Sequence, residues 1–350
     1  AYVATPPKGS GPGLVLVHEI FGITVDMQTL AEYFAQEGYV VAVPDIFWRT
    51  VTRVEMRQDG SDLERAQLMG ESLDDSQAID DILSTVNALR ALSRCKGKIG
   101  ALGYGMGGRL AVSAAASGQV ACAVSYYGVG INEVLGVDGD VAVPMVLHFG
   151  SDDLRISPEE VTALRDRWRG RDDIQAYSYP GAGHEFASPG SPSFIKVAAD
   201  MAHSRTIGLL RRVLGPHYDL SALWEAHRAC EFEARDARAT MKTMVAEPYV
   251  NHVPTLTGGY GHDQLQHFYE HHFIPKNPAD IKGIPISRTV GADRVVNEVV
   301  LCFTHDVIMD WMLPGVAPTG KYVEVVVVSV INFLGDKLYH EHIYWDQASV

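Results

Sequence analysis

Short, unbroken apolar runs alternate with amphipathic stretches through the first two thirds of the chain. The runs at 13–19, 39–45, 98–104, 122–128, 144–150 and 174–179 are continuously hydrophobic rather than alternating, as expected of strands buried on both faces of a mainly parallel sheet. Between them, helical spacing of apolar residues recurs at about 25–36, 76–92, 108–117, 158–168 and 194–213, while 49–75 reads as a polar connection. This β/α alternation predicts a right-handed doubly wound sheet, with its functional site at the carboxyl ends of the strands.

The pattern changes after Gly215-Pro216. One long helical segment is expected at 221–245, followed by an aromatic and histidine-rich stretch at 263–273. Strand signals then dominate at 294–303, 322–333 and 338–345, the last two joined by Leu334-Gly335-Asp336-Lys337. Helices first and an antiparallel meander second is an α+β arrangement. The expected organisation is an α/β domain over 1–216 and a smaller α+β domain over 217–350, in keeping with a chain of 350 residues.

A hydrophobic fraction of 47% provides for two cores, and no apolar run reaches the roughly 18 residues of a membrane helix. A formal net charge of -14 argues against a nucleic-acid partner, since phosphate backbones are gripped by clustered Lys and Arg. Cys95, Cys122, Cys230 and Cys302 lack metal-like spacing, and no signal or transit segment is legible. The expectations are reduced thiols, a cytoplasmic location, a small-molecule substrate, no membrane association and no cofactor or metal.

Candidate chemistry centres on residues 99–110, Ile-Gly-Ala-Leu-Gly-Tyr-Gly-Met-Gly-Gly-Arg-Leu. An apolar strand breaks there at a glycine corner into a small-residue helix, the layout of the Gly-x-Ser-x-Gly nucleophile elbow. Gly103 and Gly107 keep the flanking glycines, but Gly105 occupies the reactive position. Asp153 follows the 144–150 strand and His184 the 174–179 strand, giving the chain order nucleophile, acid, base. His184 would act as general base, with Asp153 holding its ring.

Together with His18-Glu19-Ile20-Phe21-Gly22, Ser125-Tyr126-Tyr127-Gly128 and Ala182-Gly183-His184-Glu185-Phe186, these residues resemble the dienelactone hydrolase family of the α/β-hydrolase fold over about the first 215 residues. The resemblance implies an ester or lactone hydrolase with a triad at Gly105, Asp153 and His184, where Gly105 stands in place of the family's cysteine. It further implies that Glu19 serves the nucleophile position, that the amides of Ile20 and Met106 form the oxyanion hole, and that Tyr104, Tyr127 and Phe21 contact substrate. The chain departs from the family at Glu185-Phe186-Ala187-Ser188, where a substrate-binding arginine would follow the histidine. Gly105 leaves several explanations open: a substitution made to trap a ligand, a domain that has lost covalent catalysis, another group acting instead, or a water activated by His184 in the vacated space. Ser125 and Tyr104 are nearby hydroxyls but lie off the corner.

Residues from about 221 to 350 resemble the SnoaL-like polyketide cyclase group of the nuclear-transport-factor-like cone fold. The resemblance rests on an opening helix near Trp224, on His267-Phe268-Tyr269 and on the hairpin with Glu341-His342-Ile343-Tyr344-Trp345-Asp346. It implies a curved sheet around an apolar pocket, used for proton transfer, binding or pairing of subunits into a homo-oligomer. His305, Asp306, Asp310, Glu341 and Asp346 are candidates for acid/base work. Glu341, Ile343 and Trp345 should share one strand face, and His340, His342 and Tyr344 the other. His267-Phe-Tyr-Glu270-His271 matches a zinc-binding pattern, but no further acidic ligand is evident and no metal is expected. The leading reading is hydrolysis in the first domain; the alternatives are cyclase or isomerase chemistry in the second, and ligand binding or assembly without catalysis.

Overall fold

The computed structural model describes residues 1–136 and 139–350, which form two compact units, Ala1–His217 and Tyr218–Val350. In the first unit the elements run β1 (Tyr2–Ala4), β2 (Gly11–Val17), α1 (Val25–Gln36), β3 (Val40–Val43), α2 (Gly60–Glu71), α3 (Asp75–Ala91) and β4 (Cys95–Tyr104). They continue with α4 (Met106–Ala116), β5 (Ala123–Tyr126), α5 (Ile131–Leu135), β6 (Met145–Gly150), α6 (Pro158–Arg167), β7 (Ile174–Tyr179) and α7 (Lys196–Leu214). The seven-stranded sheet has the order β1-β3-β2-β4-β5-β6-β7, with β1 antiparallel to β3 and the remaining pairs parallel.

The strand order reverses between β2 and β4, so the crevice of this doubly wound sheet opens at their carboxyl ends. Those ends carry Glu19-Ile20 and Gly105. Close packing of α4 on the sheet dictates the glycines of the corner. A Cβ on Gly103 would stand 2.0 Å from the Gly107 carbonyl oxygen, and one on Gly107 would stand 2.3 Å from that of Val17. No side chain survives at either position, which is why the motif is glycine-rich.

Three elements of this unit lie outside the expected pattern, among them the five-residue helix α5. Helix α2 occupies part of the expected polar connection; of its residues only Ala66 is buried, so it carries almost no apolar stripe to read. Strand β1 is three residues long and pairs at the sheet edge.

The second unit contains α8 (Leu220–Arg228), a π-helical turn over Ala229–Glu233, α9 (Ala237–Lys242), β8 (Met244–His252), β9 (Thr257–Tyr260) and α10 (Gly261–Phe268), then β10 (Lys282–Val290), β11 (Arg294–Thr304), β12 (Tyr322–Leu334) and β13 (Lys337–Trp345). The expected helix over 221–245 is broken: Arg235 adopts a positive φ of 51°, and the Asp236 side chain then caps α9 by accepting from the Arg238 and Ala239 amides. The sheet order is β10-β11-β12-β13-β8-β9. It is antiparallel except for β13 on β8, which run parallel, so it is more than the expected meander. Trp224, Phe268, Phe273, Phe303, Trp311 and Ile343 belong to its buried core. No described helix is long and apolar enough to cross a membrane.

Candidate active site

The corner between β4 and α4 places Gly105 at φ 53° and ψ -119°, a conformation that L side chains adopt only under strain. Space for a side chain nevertheless exists: a Cβ built on Gly105 would meet Glu19 Cγ at 3.8 Å and His184 Nε2 at 4.0 Å and nothing closer. Unlike Gly103 and Gly107, this glycine is not required by packing.

His184 and Asp153, the expected base and acid, lie in contact. His184 Nδ1 lies 2.7 Å from Asp153 Oδ2, with the Asp153 side chain fully buried and that of His184 at 15% exposure. The other Asp153 oxygen accepts from the Arg155 amide at 2.8 Å, which fixes the carboxylate. A carboxylate only accepts, so Nδ1–H donates to Asp153 and Nε2 faces position 105. Met106 is the first residue of α4, so its amide has no acceptor within the helix, and it lines the same cavity as Ile20.

Glu19 lies buried beside this position and accepts from Tyr127 Oη at 2.9 Å. Burial, reinforced by the nearby Glu185 charge, pushes its carboxyl up to about 8, although the Tyr127 hydrogen bond and the Arg155 charge pull the other way. Burial and the Glu19 charge likewise raise the Tyr127 phenol well above its ordinary value.

The cavity over these groups measures about 290 Å³, and Ile20, Phe21, Met106, Arg155 and His184 line it. Of the three residues expected to contact substrate, only Phe21 reaches this wall. Tyr104 is buried and stacks on Tyr126 at 4.5 Å between centroids, and Tyr127 is spent orienting Glu19. Ser125 is buried behind the corner, where its Oγ would be 2.7 Å from a Cβ on Gly108, and it does not line the cavity. Neither hydroxyl can take the place of a residue at 105. Two arginines of the lining were not singled out from the sequence. Arg109 is held by Asp75 at 2.8 Å, whereas Arg155 comes from the acid's own loop, two residues after Asp153.

In the second unit, β13 turns Glu341, Ile343 and Trp345 inward, while His340 and His342 are half-buried and Tyr344 is exposed. Asp306 and Asp346 are exposed, Asp310 is half-buried beside His272, and His305 is buried. Glu341 lines an apolar cavity of about 70 Å³ with Val250, Val299, Leu301, Trp311 and Ile343. Its partner is one the sequence did not single out: His227 Nε2 lies 3.1 Å from Glu341 Oε1 and 3.2 Å from Glu231 Oε1. Burial penalises the charged imidazole, but the two carboxylates outweigh it and raise His227 to about 10. Burial raises Glu341. The His-x-x-Glu-His stretch is different in kind: His267 and His271 are exposed, and Glu270 accepts from Gln266 at 2.8 Å.

The family profile described as "Dienelactone hydrolase family" matches residues 1–214. Carboxymethylenebutenolidase 1 of Cupriavidus pinatubonensis is 30% identical over 217 residues, which cover 62% of this chain and 92% of that relative. The carboxymethylenebutenolidase of Pseudomonas sp. strain P51 is 31% identical over 215 residues, 61% of this chain and 90% of the relative. Among solved structures, a dienelactone-hydrolase-type protein from Klebsiella pneumoniae subsp. pneumoniae MGH 78578 superposes with a TM-score of 0.50 at 22% identity, covering 58% of this chain and 88% of its own. That likeness gives the first unit the α/β-hydrolase fold. With a profile match spanning more than half of its length, the chain belongs to the dienelactone hydrolase family.

Proposed function

We propose that the first unit is a hydrolase site for a small organic ester or lactone in which the nucleophile position is vacant. The observation that carries this reading is the 4.0 Å between His184 Nε2 and the Cβ position of residue 105, with Asp153 on the other ring nitrogen. A base so placed serves a side chain at 105 when there is one. With Gly105, it serves a water in the same space: His184 Nε2 takes a proton as the water attacks the carbonyl, then returns it to the departing alcohol. The Ile20 and Met106 amides would receive the oxyanion. Glu19, neutral below about 8, keeps a second negative charge away from it. Arg155 supplies a cation for a carboxylate on the substrate, and the carboxymethylenebutenolidase relatives favour a lactone among such substrates. A triad without its nucleophile retains about 10³–10⁴-fold over the uncatalysed reaction.

The test is Gly105→Cys assayed against activated aryl esters and lactones beside the parent chain. Turnover above the parent supports a site complete but for its nucleophile, and equal rates contradict it.

A second reading is favoured by Glu341, a buried carboxyl in an apolar cavity. The second unit, read as a SnoaL-like domain, would then carry proton-transfer chemistry of the cyclase or isomerase type or bind a ligand. Loss of activity in Glu341→Gln with none in His184→Ala would favour it over hydrolysis.

A further inference from the structure

The orientation of His227 is fixed by a chain of two hydrogen bonds. Thr243 Oγ1 donates to the Thr240 carbonyl at 2.6 Å, and a carbonyl can only accept, so the single hydroxyl proton is committed there. His227 Nδ1 approaches the same hydroxyl oxygen at 2.6 Å and must therefore be the donor. In the deprotonated ring, the form a cation would bind, the proton stays on Nδ1 and a lone pair on Nε2 faces Glu231 and Glu341; without a cation the two carboxylates favour the protonated ring.

Three acceptor atoms face one another as a result. Nε2 stands 3.2 Å from Glu231 Oε1 and 3.1 Å from Glu341 Oε1, and the ligand atoms of all three residues lie within 4.8 Å of one another. The side chains are at most 5% exposed. Neither Nε2 nor Glu341 Oε1 has a partner with hydrogen-bond geometry among the described residues, and nor does the nearby Tyr269 hydroxyl. Such a buried constellation needs a positive charge, supplied either by a proton on Nε2 or by a cation bound between the three atoms. Donors bound about 2.0–2.2 Å from one ion stand about 3.0–3.5 Å from each other, as Nε2 does from each carboxylate oxygen here.

We propose that His227 Nε2, Glu231 and Glu341 form a binding site for a divalent transition-metal ion, open on one side to the apolar cavity of the second unit. The π-helical turn over Ala229–Glu233 follows α8 directly and presents Glu231 one turn beyond His227, while β13 brings Glu341 from across the sheet. One imidazole and two carboxylates suit zinc, manganese, iron(II) or cobalt and are too few oxygens for calcium. Two glutamates and a neutral imidazole exactly neutralise a divalent ion. Three protein ligands leave a coordination position for water or a ligand oxygen, the pattern of catalytic rather than structural zinc. Thr243 holds the ring from behind, as outer partners of metal-bound histidines do. The site stands on geometry alone and does not depend on either unit's proposed reaction.

The experiment uses the full chain, stripped with chelator and titrated with Zn²⁺ by calorimetry and with Co²⁺ by visible absorption. One equivalent of Zn²⁺ retained after gel filtration, d–d bands with Co²⁺, and a melting temperature raised by the ion are expected. Glu341→Gln, close in shape to the parent, should weaken binding by more than the roughly 10–100-fold that loss of an outer partner costs. His267→Ala, at the exposed histidine pattern on α10, should leave it unchanged. A folded chain that retains no ion, with a shared proton in its place, overturns the proposal. Binding that survives Glu341→Gln and disappears in His267→Ala does so equally.

Discussion

His184 Nδ1 and Asp153 Oδ2 stand 2.7 Å apart, although 31 residues separate them in the chain. The parallel pairing of β6 with β7 brings the two loops side by side. The pair is thus oriented beside residue 105, which has no side chain; in the proposed function they are its acid and base.

Removing the acid should matter only where there is a nucleophile to activate. In a Gly105→Cys background, Asp153→Asn should lower kcat for an aryl ester by about 10³–10⁴-fold by favouring the wrong tautomer of His184. Steady-state kinetics of the single and double variants check this; a change under tenfold would remove Asp153 from the mechanism.

Glu19 sets a pH dependence of stability. Its folded-state value is raised from 4.5 to about 8, so between those pH values the native state holds a proton that the unfolded chain has lost. Stability should therefore fall as pH rises through that window, by up to about 1.4 kcal/mol per pH unit. Glu19→Gln should flatten this slope and melt higher than the parent at pH 8. Thermal melts from pH 5 to 9 decide it; parallel curves for parent and variant would show that Glu19 is not the group responsible.

The glycines of the corner should divide into two kinds. Gly103→Ala forces a Cβ to within 2.0 Å of the Gly107 carbonyl and should cost about 3 kcal/mol or more, or prevent folding. Gly105→Ala meets no atom within 3.8 Å and should cost only the strain of its positive φ, about 1–3 kcal/mol. Urea denaturation distinguishes them, and equal costs would contradict the packing argument.

Arg155 should distinguish charged from neutral substrates. In the Gly105→Cys background, Arg155→Gln should raise KM for esters bearing a carboxylate by about tenfold, the loss of one charge-assisted contact, and leave neutral esters unaffected. An equal effect on both would place Arg155 outside substrate binding.

The first unit was legible because strands buried on both faces leave continuous apolar runs, and because Gly103 and Gly107 mark a close approach that any side chain would block. The meeting of Asp153 with His184 could be anticipated from their places after β6 and β7. Arg155 could not, since only folding shows that the acid's loop turns its arginine into the cavity. In the second unit, β10 is almost wholly exposed and so carries no buried pattern. The meeting of His227 with Glu341 depends on tertiary packing across more than a hundred residues, for which local spacing holds no signal. The inward face of β13 was likewise undecided until Glu341, Ile343 and Trp345 were seen buried together.

The central claim, that the site is complete but for its nucleophile, is tested most directly by the intact mass of Gly105→Cys after reaction with an activated aryl ester. A single acyl adduct that forms in Gly105→Cys, is absent from the parent and is strongly slowed by a further His184→Ala is the predicted result. An unmodified protein, or an adduct that forms as readily without His184, would contradict the account.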